Sequence, residues 1–108
     1  MYLKQSFYNM RLTPQQIDII RATVAEVGGA DARVRLFGSR LDDNARGGDI
    51  DLLVETPHAI DEPATMIARL SARIGTRLGG RKIDVLLDAP NLQRFPIHEV
   101  AKAEGVAL

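Results

Sequence analysis

Two long amphipathic segments, each opened near a proline and closed by a pair of glycines, constrain the fold of this chain most strongly. The first covers residues 13–29 and the second residues 61–80, and both repeat apolar side chains at steps of three and four. That spacing is typical of a helix with one buried face. Because proline favours the first turn of a helix and glycine its end, both segments are predicted to be helices.

Three short apolar segments alternate with these helices and are predicted to be strands. They are Val34–Phe37, Asp49–Glu55 and Lys82–Leu87. A weaker helical pattern follows over residues 94–103, with Ile97, Val100 and Ala101 on one side. The sequence therefore predicts an α/β (α+β) fold: a small mixed sheet of three to four strands, helices mainly on one face, and the order α-β-β-α-β-α. Residues 1–108 are expected to form a single domain.

Composition excludes several kinds of site and partner. The 108 residues include no Cys, which excludes disulfides and thiolate ligands, and only two His. The formal net charge is zero, which argues against direct nucleic-acid binding because such domains usually carry a basic excess. No apolar run approaches the roughly 18 residues that cross a bilayer, and the first residues lack a signal-peptide pattern. A cytoplasmic protein without a membrane partner is expected.

Three aspartates interrupt the apolar strand patterns on one predicted face of the sheet. Asp49 and Asp51 alternate with Ile50 and Leu52, so their carboxylates point away from the helices. Asp84 of the third strand lies on the same face if the second and third strands adjoin. Like charges this close repel one another unless a cation lies between them. Carboxylate oxygens are the ligands that Mg²⁺ prefers, and the set also suits two ions. An Asp-x-Asp pattern alone is more often a solvated turn.

A Gly-Ser pair directly after the first strand strengthens the metal interpretation. Gly38 permits close backbone approach, and Ser39 offers a hydroxyl and an N–H to phosphate oxygens. The pair by itself is a common turn, and no Gly-Lys-Ser/Thr follows to make a P-loop. An EF-hand is also disfavoured, since the aspartates lie in an apolar strand pattern and no Glu closes the loop. A phosphate-binding turn followed by a metal-binding strand is more specific than either alone.

These residues resemble a known family. Phe37-Gly-Ser-Arg40, followed by Ala45-Arg-Gly-Gly-Asp-Ile-Asp-Leu-Leu-Val54, resembles the Gly-Ser-x(n)-Asp-x-Asp signature of the DNA polymerase beta-like nucleotidyltransferases. The similarity is greatest to their stand-alone minimal nucleotidyltransferase (MNT) members and extends over about residues 13–108. Many members have Ser directly before the first Asp, where this chain has Gly48.

The resemblance implies Mg²⁺-dependent transfer of a nucleoside monophosphate, AMP from ATP, to a hydroxyl acceptor. Two Mg²⁺ ions are implied, with one activating the attacking hydroxyl and the other stabilising the leaving pyrophosphate. The implied catalytic and metal-binding residues are Asp49, Asp51 and Asp84. The implied triphosphate-binding residues are Gly38 and Ser39. Arg40 and Arg46 flank the site, and they either contact the triphosphate as well or balance nearby aspartates at the surface.

The resemblance also implies a partner protein. Free-standing MNT proteins are similar to the antitoxins of toxin–antitoxin pairs whose toxins are helical HEPN ribonucleases, and the antitoxin can transfer AMP to a tyrosine of that partner. A HEPN-type helical partner is therefore implied, beside the nucleoside triphosphate. The alternative is a non-catalytic antitoxin that masks such a partner and retains only vestigial nucleotide binding.

Two features outside the signature remain to be interpreted. Arg69, Arg73 and Arg77 recur every four residues and form a basic stripe on the second helix, either a solvated face or a docking surface for an acidic protein or RNA. His58 follows a proline in a loop and is expected to be exposed. His98 adjoins an apolar helix face and is expected to pack or to cap the helix rather than to act as a base.

Overall fold

The computed structural model describes residues 12–38 and 49–108. The elements are α1 (Pro14–Gly28), β1 (Arg33–Phe37), β2 (Ile50–Glu55), α2 (Pro63–Arg77), β3 (Ile83–Asp88), α3 (Pro96–Glu104) and β4 (Val106–Ala107). The predicted fold class is confirmed, and β4 adds a short strand after the predicted α-β-β-α-β-α order. Within the described ranges, no helix is long and apolar enough to cross a membrane.

The first helix begins and ends where the sequence signals indicate. The Thr13 N–H donates to Gln16 Oε1 at 2.9 Å, and the Gln16 N–H donates to Thr13 Oγ1 at 3.1 Å. This reciprocal capping box satisfies two amide groups that the helix itself leaves unpaired. Gly29, with φ 98°, ends the helix in a backbone conformation that residues with a Cβ rarely adopt.

The four strands form one mixed sheet in the order β3-β2-β1-β4. β1 pairs antiparallel with both β2 and β4, whereas β2 and β3 are parallel. A parallel pair requires a crossover, and α2 supplies it between β2 and β3. β3 and β4 are thus the two edges of the sheet.

One face of the sheet carries the main apolar core beneath α1 and α2. β2 contributes Ile50, Leu52 and Val54, and α2 contributes Leu70 and Ile74. All five are 0% exposed. Burial of each such side chain stabilises the fold by roughly 1.5–3 kcal/mol. This core fixes which face of β2 is buried, and therefore which face presents its aspartates.

The third helix covers part of the opposite face. Leu53 and Ala101 are both 0% exposed but lie outside the main core, since Leu53 alternates with the core residues of β2. The side of α3 predicted to be apolar is only partly buried: Ala101 faces inward, but Ile97 is 51% and Val100 48% exposed. His98, only 3% exposed, takes the inward position beside Ala101 instead.

Candidate metal and nucleotide site

Two of the predicted catalytic carboxylates lie side by side on neighbouring strands. The parallel register of β2 and β3 pairs Asp51 with Asp84. Residues paired in this way point to the same face, with their Cβ atoms only about 5 Å apart. Asp49 lies one residue before β2 begins, so the predicted strand start was early by one position. The sheet therefore brings the Asp51 and Asp84 carboxylates together, as alternation indicated.

The electrostatics of this pair are unfavourable without a cation. Burial raises the pKa of Asp51 above its ordinary value, and the carboxylates of Asp84 and Asp49 raise it further. A hydrogen bond with Asp84 acts in the same direction, and the charge of Lys82 opposes it. Lys82 Nζ itself lies 3.9 Å from Asp49 Oδ2, an exposed and weak ion pair. A bound cation would relieve the repulsion that these three carboxylates impose on one another.

Gly38 brings the end of β1 against the same carboxylate. Phe37 pairs with Asp51 in the antiparallel register, so the next residue passes directly beside the Asp51 side chain. A Cβ at Gly38 would collide with Asp51 Oδ2 and would lie 3.1 Å from its Cγ, and Gly38 has φ 78°. Glycine is thus required here by both space and backbone conformation. The remaining predicted nucleotide-binding residues, Ser39, Arg40 and Arg46, lie outside the described residues.

A recess of about 380 Å³ opens in front of Asp51 and Asp84. Its lining residues are Phe37, Gly38, Asp51, Asp84, Val85, Leu86 and Ile97. Among the described residues that line it, the two carboxylates are the only charged groups, and the other side chains are apolar. Apolar walls lower the local dielectric, which strengthens the interaction of the carboxylates with any cation bound between them.

The donor set fits a divalent cation, although the side chains do not enclose one as they lie. Across residues 12–38 and 49–108, no three His, Cys, Asp or Glu side chains are placed to hold a metal ion together. Asp51 and Asp84 nevertheless supply adjacent hard oxygen donors, which is the chemistry that Mg²⁺ requires. Asp49, 52% exposed and 3.9 Å from Lys82, is the ligand that would have to turn inward.

A second set of carboxylates lies at the other end of the same face and was not predicted. Glu55 and Asp88 pair in the β2–β3 register, four residues beyond Asp51 and Asp84. Lys102 of α3 reaches Asp88 Oδ2 at 2.7 Å and Glu55 Oε2 at 3.4 Å. We call these three residues and their two arginine partners the ion cluster. The arginines are Arg35, 3.1 Å from Glu55, and Arg94, 3.1 Å from Asp88.

The ion cluster helps to hold α3 on the sheet through charge, in addition to the buried Ala101. Burial alone would raise the pKa of Asp88, but hydrogen bonds from Lys102 and Arg94 outweigh it and hold that pKa below its ordinary value. The hydrogen bond to Asp88 raises the pKa of Lys102. A cavity of about 720 Å³ adjoins this end, and its lining includes Arg33, Arg35 and Arg94. It lies away from the Asp51–Asp84 pair, and its opposite charges are largely matched.

The basic stripe of α2 links two helices. Arg73 Nη1 and Arg77 Nη2 both lie 3.1 Å from Glu26 Oε2 of α1. Arg77 Nη1 also donates to Thr23 Oγ1 at 2.8 Å, and Thr23 is fully buried. Two of the three stripe residues thus bind α1. This favours a structural role for Arg73 and Arg77 over a docking role.

The two histidines behave as the sequence indicated. The side chain of His58 is 68% exposed and pairs with Asp31 at 3.0 Å. His98 Nδ1 accepts the N–H of Phe95 at 3.0 Å, which caps α3, and its Nε2 donates to the Leu87 carbonyl at 2.9 Å. Both ring nitrogens of His98 are therefore occupied, and neither is placed to act as a base.

Paired carboxylates on adjacent strands, with a glycine turn pressed against them, define a site for metal-assisted transfer of phosphate-containing groups. Residues 17–103 match the family described as "Nucleotidyltransferase domain", and the chain belongs to this family. No curated protein matches the chain. Family membership makes nucleotidyl transfer the general activity, and nucleotidyltransferase domains generally use a divalent metal. The matched range includes Gly38, Asp49, Asp51 and Asp84.

Proposed function

We propose that the protein transfers AMP from ATP, with Mg²⁺, to a hydroxyl group of a partner protein, as the antitoxin of an MNT/HEPN pair. The observation that carries the catalytic half is the register of Asp51 against Asp84, with Gly38 pressed on the Asp51 carboxylate. This proximity of two carboxylates and a glycine turn supports the roles proposed for Asp51 and Asp84 in binding metal and for Gly38 in binding phosphate.

The reaction requires little covalent chemistry from the protein. The acceptor oxygen forms a bond to the α-phosphorus of ATP, the bond from that phosphorus to the bridging oxygen breaks, and pyrophosphate leaves with the electron pair. The hydroxyl proton passes to solvent. Bound Mg²⁺ would lower the pKa of the acceptor hydroxyl and stabilise the charge on pyrophosphate. Asp49, Asp51 and Asp84 would hold the metal, and Gly38 and Ser39 would position the triphosphate.

Exposed apolar side chains beside the recess support a protein acceptor. Phe95 and Ile97 are each 51% exposed and Val100 is 48% exposed, and Ile97 itself lines the recess that holds Asp51 and Asp84. Aromatic and aliphatic side chains grouped at a surface commonly mark a protein contact. The resemblance to MNT antitoxins supplies the kind of partner, a helical HEPN protein.

A label-transfer assay tests this proposal. The chain is incubated with ATP labelled at the α-phosphate, with Mg²⁺, and with extract from the source organism, and labelled proteins are identified by mass spectrometry. We expect one labelled protein, with an added AMP mass, that disappears with Asp51→Asn. The matched variant Asp31→Asn removes an exposed carboxylate far from the recess and should leave labelling unchanged. Absence of any labelled product with the wild-type chain would contradict the catalytic proposal.

The second candidate is a non-catalytic antitoxin that masks its partner. It is favoured by the finding that no three metal-binding side chains come together within residues 12–38 and 49–108. The two candidates differ in whether the Asp51→Asn variant still protects a cell from the partner toxin. If the variant still neutralises the partner toxin as well as the wild-type chain, masking is sufficient and transfer is not required.

A further inference from the structure

The outer edge of β3 combines an open backbone position with apolar grooves on both sides. Among the described residues β3 is the last strand of the sheet, and none of them forms a strand on its outer side. Ile50 N–H donates to the Lys82 carbonyl and Thr56 N–H to the Asp88 carbonyl, each at 3.0 Å. Even-numbered residues of β3 therefore direct their backbone groups to β2, and odd-numbered ones direct theirs outward.

Within residues 12–38 and 49–108, only the middle of this edge is left open. Of the three outward-facing residues, Ile83 is 5% exposed and is covered. The Leu87 carbonyl is occupied by His98 Nε2 at 2.9 Å. Val85 lies between them, is partly exposed, and has no hydrogen bond on its outward side within the described chain. An unpaired N–H and C=O on an edge strand form a template for an extended chain.

Apolar grooves flank Val85 on both sides. The recess before Asp51 and Asp84 is walled by Val85, Leu86 and Ile97. A second groove, of about 270 Å³, is also lined by Val85 and Leu86 and lies against α2 and the start of α3. Its other lining residues are Pro63, Ile67, Leu87, Leu92, Gln93, Phe95 and His98. A strand crossing at Val85 would direct alternate side chains to the two sides of the sheet, and so into the two grooves.

We propose that an extended segment of the acceptor protein adds to the outer edge of β3 at Val85 and places its hydroxyl-bearing side chain beside Asp84. A strand added there lies about 4.8 Å from β3, and a residue opposite Asp84 points to the same face at a Cβ separation of about 5 Å. An acceptor that binds at Val85 is thereby brought to the carboxylates. This inference rests on the proposed function.

The test uses the label-transfer assay with three variants of the edge. Val85→Pro removes the outward N–H but no bond to β2, because proline is tolerated at outward positions of edge strands. Val85→Thr keeps the N–H and the side-chain shape and is its matched control. Phe95→Glu puts a charge into the second groove at a side chain that is 51% exposed, and it leaves β3 unchanged. Thermal unfolding with Mg²⁺ and ATP is measured for each variant to report the nucleotide site separately.

We expect Val85→Pro and Phe95→Glu each to reduce labelling of the acceptor at least tenfold while the Mg²⁺–ATP shift of the unfolding midpoint persists. Val85→Thr, which retains the outward N–H, should label the acceptor several-fold more strongly than Val85→Pro. Undiminished labelling by Val85→Pro or by Phe95→Glu would overturn the inference. A midpoint shift without any labelled protein would also overturn it, while leaving the nucleotide site intact. Loss of both shift and labelling in the wild-type chain would instead contradict the proposed function itself.

A second copy of this chain is the competing occupant of the edge. Light scattering and amide hydrogen exchange of the wild-type chain alone distinguish the two. The inference predicts a Val85 amide that exchanges faster than the Leu86 amide, whose N–H points to β2. A dimer with a protected Val85 amide that Val85→Pro converts to a monomer would assign the edge to self-association and overturn the inference.

Discussion

The two ends of one sheet face carry the same residue types on the same two strands, and they differ in what surrounds them. At one end Asp51 and Asp84 lie together, and within the described chain neither forms an ion pair with a basic side chain. At the other end Glu55 and Asp88 lie together and are bound by the cations of the ion cluster. The pKa of Asp51 is raised, whereas that of Asp88 is lowered.

The contrast distinguishes Asp51 and Asp84, which suit a bound cation, from Glu55 and Asp88, whose ion pairs stabilise the fold. A buried charge is tolerated when it is paired, whereas a group of like charges is unfavourable until a cation binds or a proton is taken up. The position of α3 produces this difference. Its Lys102 contacts Asp88 at one end of the face, whereas its apolar Ile97 side chain lines the recess beside Asp51 and Asp84 at the other end.

Substitution Asp51→Asn is expected to have the largest effect, and of opposite sign on activity and on stability. Loss of one essential electrostatic group at a reacting centre commonly lowers kcat on the order of 10²–10³-fold. The unliganded chain should unfold at a higher temperature than the wild type, because the repulsion from Asp84 and Asp49 is removed. Label transfer and calorimetry measure the two effects. An unfolding midpoint below that of the wild type would mean that the Asp51 carboxylate stabilises the fold.

Two lysines, one at each end of the face, allow the stabilising effect of the two ends to be compared by matched substitutions. Lys102 Nζ lies 2.7 Å from Asp88 and its side chain is 29% exposed, whereas Lys82 Nζ lies 3.9 Å from Asp49 and is 69% exposed. Lys102→Met should destabilise the chain by about 1–2 kcal/mol, and Lys82→Met by less than about 0.5 kcal/mol. For a domain of this size, about 1 kcal/mol shifts the midpoint by roughly 4–8 °C. Equal effects would contradict the assignment.

The pH dependence of stability should show both ends of the face. Asp88 has a lowered pKa, so its contribution is present above its ordinary value of 3.8 and is lost as pH falls through the folded value. Lys102 has a raised pKa, so its contribution is present below its ordinary value of 10.5 and is lost as pH rises through the folded value. Asp51 has a raised pKa and acts oppositely, since stability declines as pH rises through it.

Midpoints measured across the acid range in the wild type, Asp88→Asn and Asp51→Asn test these signs. Asp88→Asn should weaken the loss of stability in acid, and Asp51→Asn should increase stability most where the carboxyl is ionised. A lack of difference between the two variants would contradict the electrostatic contrast.

The smallest effect on stability is expected from substitutions in the basic stripe of α2, which lies with α1 on the other face of the sheet. Arg77 donates to the buried Thr23 hydroxyl at 2.8 Å and pairs with Glu26, but its side chain is 43% exposed. Arg77→Ala should cost roughly 0.5–1 kcal/mol, and Arg69→Ala, on the same stripe, less than about 0.3 kcal/mol. Chemical denaturation measures both. Unchanged stability in Arg77→Ala would mean that the stripe is not held by α1.

The sequence predicts local features well because their causes are local. The capping box of α1 depends on Thr13 and Gln16 alone, and the face of β2 follows from strict alternation around Asp51. The pairing of Asp51 with Asp84 needed one further assumption, that the second and third predicted strands adjoin, and the parallel register confirms it.

Features that depend on distant contacts were not predicted. Nothing in the local pattern distinguishes Asp88 from Asp84, because only Lys102 and Arg94, brought in by α3, neutralise the former. The exposure of Ile97 and Val100 on α3 was not predicted either. The apolar spacing favoured their burial, but His98, whose Nε2 donates to the Leu87 carbonyl of β3, takes the inward position beside Ala101. β4, two residues long, has no period to detect.

We propose, above all, that one end of this face binds Mg²⁺ and that the other does not. The most direct test is the unfolding midpoint with Mg²⁺ and ATP in the wild type, Asp84→Asn and Asp88→Asn. A ligand that binds the native state raises the midpoint, by about 2.7 kcal/mol of stability at one hundred times its Kd. The account predicts that the wild type and Asp88→Asn gain this shift and that Asp84→Asn loses most of it. An equal shift in both variants, or none in the wild type, would contradict it.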